Sequence, residues 1–156
     1  MINKFREDIR SLINKNFSGN DLLSVTLLLE RYVKWNPNPL TEDHFEQNFR
    51  HFINLLNHKV YKNAYRRYGK SISVIPSLEY SDRIGHHYHA VIKIPNRLPK
   101  WKFEEYINTC WIKTRYSKLG KPVHIQSMYS NGWSNYITKF NHLDDDIDWF
   151  NTHLNR

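Results

Sequence analysis

Two histidines separated by one residue, His87-Tyr88-His89, open an alternating run that continues through Ala90-Val91-Ile92-Lys93-Ile94-Pro95. In a β-strand successive side chains point to opposite faces, so His87 and His89 share one face while Tyr88, Ala90, Ile92 and Ile94 share the other. Upstream, Ser71-Ile72-Ser73-Val74-Ile75-Pro76-Ser77-Leu78-Glu79-Tyr80 alternates in the same way, and Ser81-Asp82-Arg83-Ile84-Gly85-His86 has the composition of a turn. A hairpin that closes with Glu79 opposite His87 and Ser77 opposite His89 sets a carboxylate beside both imidazoles. Two imidazoles and a carboxylate with open coordination positions form the donor set of a catalytic divalent metal. A surface histidine pair beside a solvated glutamate accounts for the same residues without an ion, and with nine histidines in the chain such a pair can arise by chance. Pro76 has no N–H to donate to a ladder, so its strand is expected at a sheet edge or at a bulge.

A second group of residues with chemical potential follows the last strand, in Tyr129-Ser130-Asn131-Gly132-Trp133-Ser134-Asn135-Tyr136-Ile137-Thr138-Lys139-Phe140. Ser134 is a candidate N-cap for a short helix, on which Tyr136 and Lys139, three residues apart, share a face. A phenol and a cation then look outward together.

These residues need a scaffold, and the periodicity supplies one. Residues 3–16 carry Phe5, Ile9, Leu12 and Ile13 at helical spacing. Residues 22–32 alternate as a strand with Leu23, Val25, Leu27 and Leu29 on one face and Ser24, Thr26, Leu28 and Glu30 on the other. After the break at Asn36-Pro37-Asn38-Pro39, Thr41 caps a helix with Phe45, Phe49, Phe52, Ile53, Leu56 and Val60 on one face, running to about residue 65. Its tail, residues 61–70, interleaves tyrosines with Lys62, Arg66, Arg67 and Lys70, a pattern common to solvated helix ends and to nucleic-acid contacts. A second helix is expected over 102–117, with Phe103, Tyr106, Ile107, Cys110 and Trp111 inward, and a further strand over 123–128. Asp144-Asp145-Asp146 reads as the acidic start of a terminal helix that buries Ile147, Trp149, Phe150 and Leu154. The order β-α-β-β-α-β predicts an α+β, ferredoxin-like fold: an antiparallel sheet with both helices on one face, and extra N-terminal and C-terminal helices. Thr26, Glu79, His87, His89, His124 and Gln126 then face outward. One domain is expected over residues 1–156, with its core at about 22–140.

The net charge of +8 and pI near 9.6 favour a polyanionic partner, and nucleic acid fits better than a membrane because no basic amphipathic helix is present. The single cysteine, Cys110, excludes an internal disulfide and reads as a packed core residue. Absence of an apolar leader or spanning run, with this cysteine usage, leads to the expectation of a cytoplasmic protein that does not enter membranes.

In this order and on this topology, Glu79, His87-Tyr88-His89 and Tyr136-Ile137-Thr138-Lys139 resemble the motifs of the HUH endonucleases. The likeness is to the single-tyrosine Rep proteins that initiate rolling-circle replication of plasmids and single-stranded DNA viruses. It spans roughly 22–140, with Leu23-Ser24-Val25-Thr26-Leu27 a looser match to the first motif. The resemblance implies Mn²⁺ or Mg²⁺ on Glu79, His87 and His89, and Tyr136 as the nucleophile forming a covalent 5′-phosphotyrosine. It implies Lys139 as the stabilising charge and single-stranded or hairpin origin DNA as substrate. No helicase segment follows residue 156, so a separate helicase is implied as well. A single-tyrosine transposase resembles the same motifs, although such enzymes commonly carry glutamine where Lys139 stands. A non-catalytic nucleic-acid-binding module, stacking bases on Tyr88, Trp133 or residues 61–70, is the alternative outside enzymology. Of the other histidines, His86, His124 and His142 are further candidate ligands or bases, with His86 expected in the turn and His124 behind the metal ligands.

Overall fold

The computed structural model describes residues 4, 7–8, 11, 14–17, 19, 21–128 and 147–154. Four strands, β1 (Leu22–Leu28), β2 (Val74–Ser81), β3 (Gly85–Lys93) and β4 (Val123–Met128), form one antiparallel sheet in the order β2-β3-β1-β4. Helix α1 (Glu42–Tyr61), with the short α2 (Asn63–Tyr68) behind it, connects β1 to β2, and α3 (Lys100–Ile112) connects β3 to β4. This is the ferredoxin-like arrangement expected from the element order.

Alternation along each strand decides which side the helices cover. Leu23, Val25, Leu27, Val74, Tyr88, Ala90 and Ile92 are buried together with Phe45, Phe49, Phe52 and Leu56 of α1 and Phe103, Ile107, Cys110 and Trp111 of α3. Phe49 lies 4.5 Å from the Tyr88 ring and Phe52 meets Trp111 edge-on at 5.4 Å, so aromatic contacts join α1 both to the sheet and to α3. Truncating one of these phenylalanines to alanine is worth about 3–5 kcal/mol by the usual cost of a large buried aromatic. Buried amides tie the connections down: Asn57 Oδ1 accepts from the Ile72 N–H at 2.7 Å, and Asn48 donates to Thr114 Oγ1 at 3.0 Å.

Three sequence expectations change. The helix anticipated to about residue 65 breaks at Lys62, whose φ of +50° separates α1 from α2. Helix α3 begins and ends earlier than 102–117, with Pro99 at its N-cap, where a missing N–H costs no helical bond. The terminal helix is absent from 147–154, which instead lies along the outer edge of β2. His153 exchanges both backbone hydrogen bonds with Val74 at 2.8 and 3.0 Å, the Asp148 N–H donates to the Pro76 carbonyl at 3.0 Å, and a 3-10 turn covers Trp149–Asn151. β2 is one of the two edge strands of the sheet, as Pro76 required, and this segment covers part of its otherwise unpaired edge. The apolar residues of the anticipated N-terminal helix, Phe5, Ile9, Leu12 and Ile13, lie outside the described residues, as do Asp144, Asp145 and Asp146.

The same edge segment fastens the histidine strand. Asp148, buried beside η-turn residue Asn151, accepts from the Tyr88 hydroxyl at 3.0 Å and from the Asn151 N–H and side-chain amide. Burial and the Asp148 carboxylate together push the Tyr88 phenol well above its ordinary pKa, so this tyrosine stays protonated and donating. Tyr88→Phe should therefore lower stability by about 1–3 kcal/mol, the cost of leaving a buried acceptor short of a donor. Urea denaturation of the two proteins checks it, and identical midpoints would remove Tyr88–Asp148 from the list of structural anchors.

Candidate metal centre

On the face away from the helices, the hairpin pairs Glu79 with His87 and Ser77 with His89. Its loop has three residues, Asp82, Arg83 and Ile84, followed by Gly85 at φ +73°, the left-handed conformation that such hairpins demand and that glycine adopts without steric cost. Glu79 Oε2 lies 3.6 Å from His87 Nε2 and 3.3 Å from His89 Nε2, and the three donor atoms sit within 4.8 Å of one another. Ligands at about 2.0–2.2 Å from an ion stand about 3 Å apart when they subtend a right angle, so the two Glu79–histidine contacts are near that spacing and the three residues could hold a metal ion.

Each imidazole is aimed by its other nitrogen. His87 Nδ1 donates to the Gly85 carbonyl at 2.9 Å, and His89 Nδ1 lies 2.9 Å from the Thr26 hydroxyl across the β1–β3 pairing. Both bonds leave Nε2 toward Glu79, which is how outer contacts fix the tautomer and direction of a metal-binding histidine. Ser77 Oγ donates to Glu79 Oε1 at 3.4 Å from the same strand. Burial opposes a charge on His87, but hydrogen bonds to Glu79 and to the Gly85 carbonyl, with the Glu79 charge, leave its pKa raised. Burial dominates at His89 and lowers its pKa despite Glu79. A cation taking up Glu79 displaces the His87 proton, so metal and protons compete for this residue.

Two imidazoles and a carboxylate are a donor set that could hold a metal ion.

The remaining sequence candidates divide cleanly. His86 is in β3 opposite Tyr80, not in the turn, and packs at 4.8 Å from Phe45 and 5.0 Å from Tyr80, with burial lowering its pKa. His124 faces outward but pairs with Thr26, two strands from His89, and is not one of the clustered donors Glu79, His87 and His89. Tyr80 and Tyr88 belong to the helix side by alternation, so neither strand tyrosine shares the histidine face. Tyr136, Lys139, Tyr129, Trp133 and His142 lie outside the described residues.

Two features escaped the sequence reading. Thr26 was placed on the outward face, but its contact with His89 depends on the β1–β3 register, which local pattern does not reveal. Close to the end of β1, the loop beyond Leu28 carries Tyr32 and Trp35, 53% and 60% exposed, with Arg31 5.5 Å from the Tyr32 ring and Arg115 5.1 Å from the Trp35 ring. Leu28 pairs with His87, so this aromatic and cationic cluster leaves the sheet at the end that carries Glu79, His87 and His89. Only a fold that returns residue 115 to residue 35 assembles it.

No protein-family model, curated protein or solved structure matches the chain. Among the described residues no helix is long and apolar enough to cross a membrane.

The Thr26 contact yields a test. Thr26→Val keeps the shape but removes the hydroxyl partner of His89, and should weaken Mn²⁺ or Zn²⁺ binding by about 10- to 100-fold while leaving the thermal midpoint within a few degrees. Calorimetric titration of both proteins measures it. Equal affinities would mean that β1 plays no part in orienting His89.

Proposed function

We propose that this protein is a metal-dependent endonuclease of the HUH type that nicks and transfers single-stranded DNA through a covalent 5′-phosphotyrosine. The observation that carries this reading is the convergence of Glu79, His87 and His89 on the outward face of a β2-β3-β1-β4 sheet. Those side chains would hold a Mn²⁺ or Mg²⁺ ion, whose chemistry there would be Lewis acidity toward a nonbridging oxygen of the scissile phosphate.

The protein's own residues do the rest. The Tyr136 oxygen attacks phosphorus, forming the phosphotyrosine bond as the bond to the 3′-oxygen breaks; the phenolic proton is passed on and the departing oxygen leaves as a 3′-hydroxyl. Lys139 stabilises the developing charge on the phenolate and phosphate. Attack by a later 3′-hydroxyl on the phosphotyrosine reverses the exchange and joins strands. Glu79, His87 and His89, aimed by Gly85 and Thr26, set where the phosphate sits.

Two further observations support the reading. Met128 and Ile147 both pack on the outward side of the sheet, and Ile147 bridges to Ser77 beside the cluster. Tyr32 and Trp35 offer exposed rings with nearby guanidinium groups at the metal-bearing end, where bases flanking the phosphate can stack.

Incubation with a single-stranded oligonucleotide and Mn²⁺ tests the proposal. A protein–DNA adduct should form and map to Tyr136. Tyr136→Phe should abolish adduct and cleavage while the protein stays folded, His87→Ala should abolish metal-dependent cleavage, and Lys139→Ala should slow it by about 10² to 10³. An adduct on Tyr129 would relocate the nucleophile. DNA binding with no adduct on any cleavable strand would make this a binding module.

A further inference from the structure

The basic and aromatic tail after α1, which the metal centre does not use, forms one wall of a groove at the opposite end of the sheet. Helix α2 ends at Gly69, whose φ of +62° turns the chain so that Tyr68 and Lys70 face the connection after β3. Together with Tyr61, Asn96 and Arg97 they line an open cleft of about 650 Å³. A smaller one of about 210 Å³ adjoins it through Tyr61 and Asn96 and includes Lys93. Tyr68 is 75% exposed, and the Arg97 guanidinium stands 5.7 Å from the Tyr61 ring. Among the described residues neither Lys70 nor Arg97 is in an ion pair with a carboxylate.

We infer that this groove is a second nucleic-acid contact, in which Lys70 and Arg97 hold the phosphates of a single strand and Tyr68 stacks on one of its bases. Unpaired cations gain by releasing counterions from a phosphate backbone, and an exposed ring beside them supplies a sequence-tolerant stacking surface. Asn96 and Ser71 add polar groups to the same wall. Ser71 and Glu79 are eight residues apart along an extended chain, so the groove stands roughly 26 Å from the metal centre at 3.3 Å per residue. A strand engaging both must span that distance. The groove thus anchors DNA flanking the cleavage point, an assignment that rests on the proposed nuclease reading but is tested through binding alone.

The experiment uses the full chain and a fluorescein-labelled oligothymidylate of about 25 nucleotides, in chelator so that no cleavage occurs, with anisotropy followed across a salt series. Lys70→Ala/Arg97→Ala should bind about 10-fold more weakly, with a log K against log salt slope shallower by about 1.4, the value for two single-strand phosphate contacts. Tyr68→Ala should lose about fivefold or more. Lys59→Ala/Lys102→Ala removes the same charge from the Tyr106 surface and should stay within about twofold of the parent. If the alanine pair melts prematurely, Lys70→Gln/Arg97→Gln replaces it. An iodouracil-substituted strand should crosslink to the peptide bearing Tyr68.

A parent protein that binds the strand while the groove variants match it in affinity and slope overturns the groove alone. So does an equal loss in the Lys59/Lys102 control, which would assign the effect to net charge, or crosslinks confined to other peptides. Intact duplex competing equally per phosphate overturns the single-strand assignment. A parent protein that binds no strand at all overturns the nuclease reading and the groove with it.

Discussion

The register of the β2–β3 hairpin is the constraint from which both faces of this sheet follow. With Glu79 opposite His87, the polar set faces outward and Tyr88, Ala90 and Ile92 enter the helix-covered core. Because side chains alternate with a period of two, a slip of one residue would send both histidines into the core and expose Tyr88, with no intermediate compromise. Several features hold the register at once. The three-residue loop requires its left-handed position at Gly85, the inward residues meet Phe49 and its neighbours, and Tyr88 reaches Asp148 beyond the sheet edge. The terminal segment that supplies Asp148 also pairs with β2, so the edge strand carrying Glu79 is held from both sides over part of its length.

That register also explains how an otherwise ordinary pair of histidines becomes directional. Gly85 contributes its conformation to the turn and its carbonyl to His87, joining hairpin geometry to ligand orientation. Thr26 arrives from β1 to hold His89. The cluster is partly withdrawn from solvent, which sharpens its electrostatics, yet it faces the open half of the sheet. The other half of that face is closed by Phe17, Leu22, Ile75, Val91 and Ile147, a second small core. Among the described residues, the Glu79–His87–His89 cluster and this apolar core divide the outward face into a polar and an apolar end. The exposed Tyr32 and Trp35 rings lie at the polar end, and the Lys70–Arg97 groove lies past the apolar one.

Much of this was legible in the chain because it depends on local periodicity. Alternation in β1, β3 and β4, the spacing of phenylalanines in α1, and the demand that Pro76 sit at an edge all depend on neighbouring residues. The pairing of Glu79 with His87 was equally legible, since the loop is short and only one parity buries the apolar set. Where local signals conflicted with long-range packing, the reading failed. Ile147, Trp149, Phe150 and Leu154 have helical spacing, but the backbone groups of unpaired β2 offer hydrogen bonds to Asp148 and His153 that a helix would forgo, and 147–154 lies extended with one 3-10 turn. Lys62 similarly interrupts a pattern that reads as continuous.

The sequence by itself determined the alternating faces, the convergence of Glu79, His87 and His89 on one of them and the split β-α-β-β-α-β order, because each follows from a period of two or 3.6 residues and from the chemistry of single side chains. Tertiary structure alone decided which partner orients each ligand and what surrounds the site. Thr26 meets His89 across sixty-three positions, and Arg115 is brought to Trp35 only after the sheet and both helices have closed. Contacts of that kind leave no periodic trace, since their free energy depends on the positions of both partners in space and not on the spacing of either in the chain.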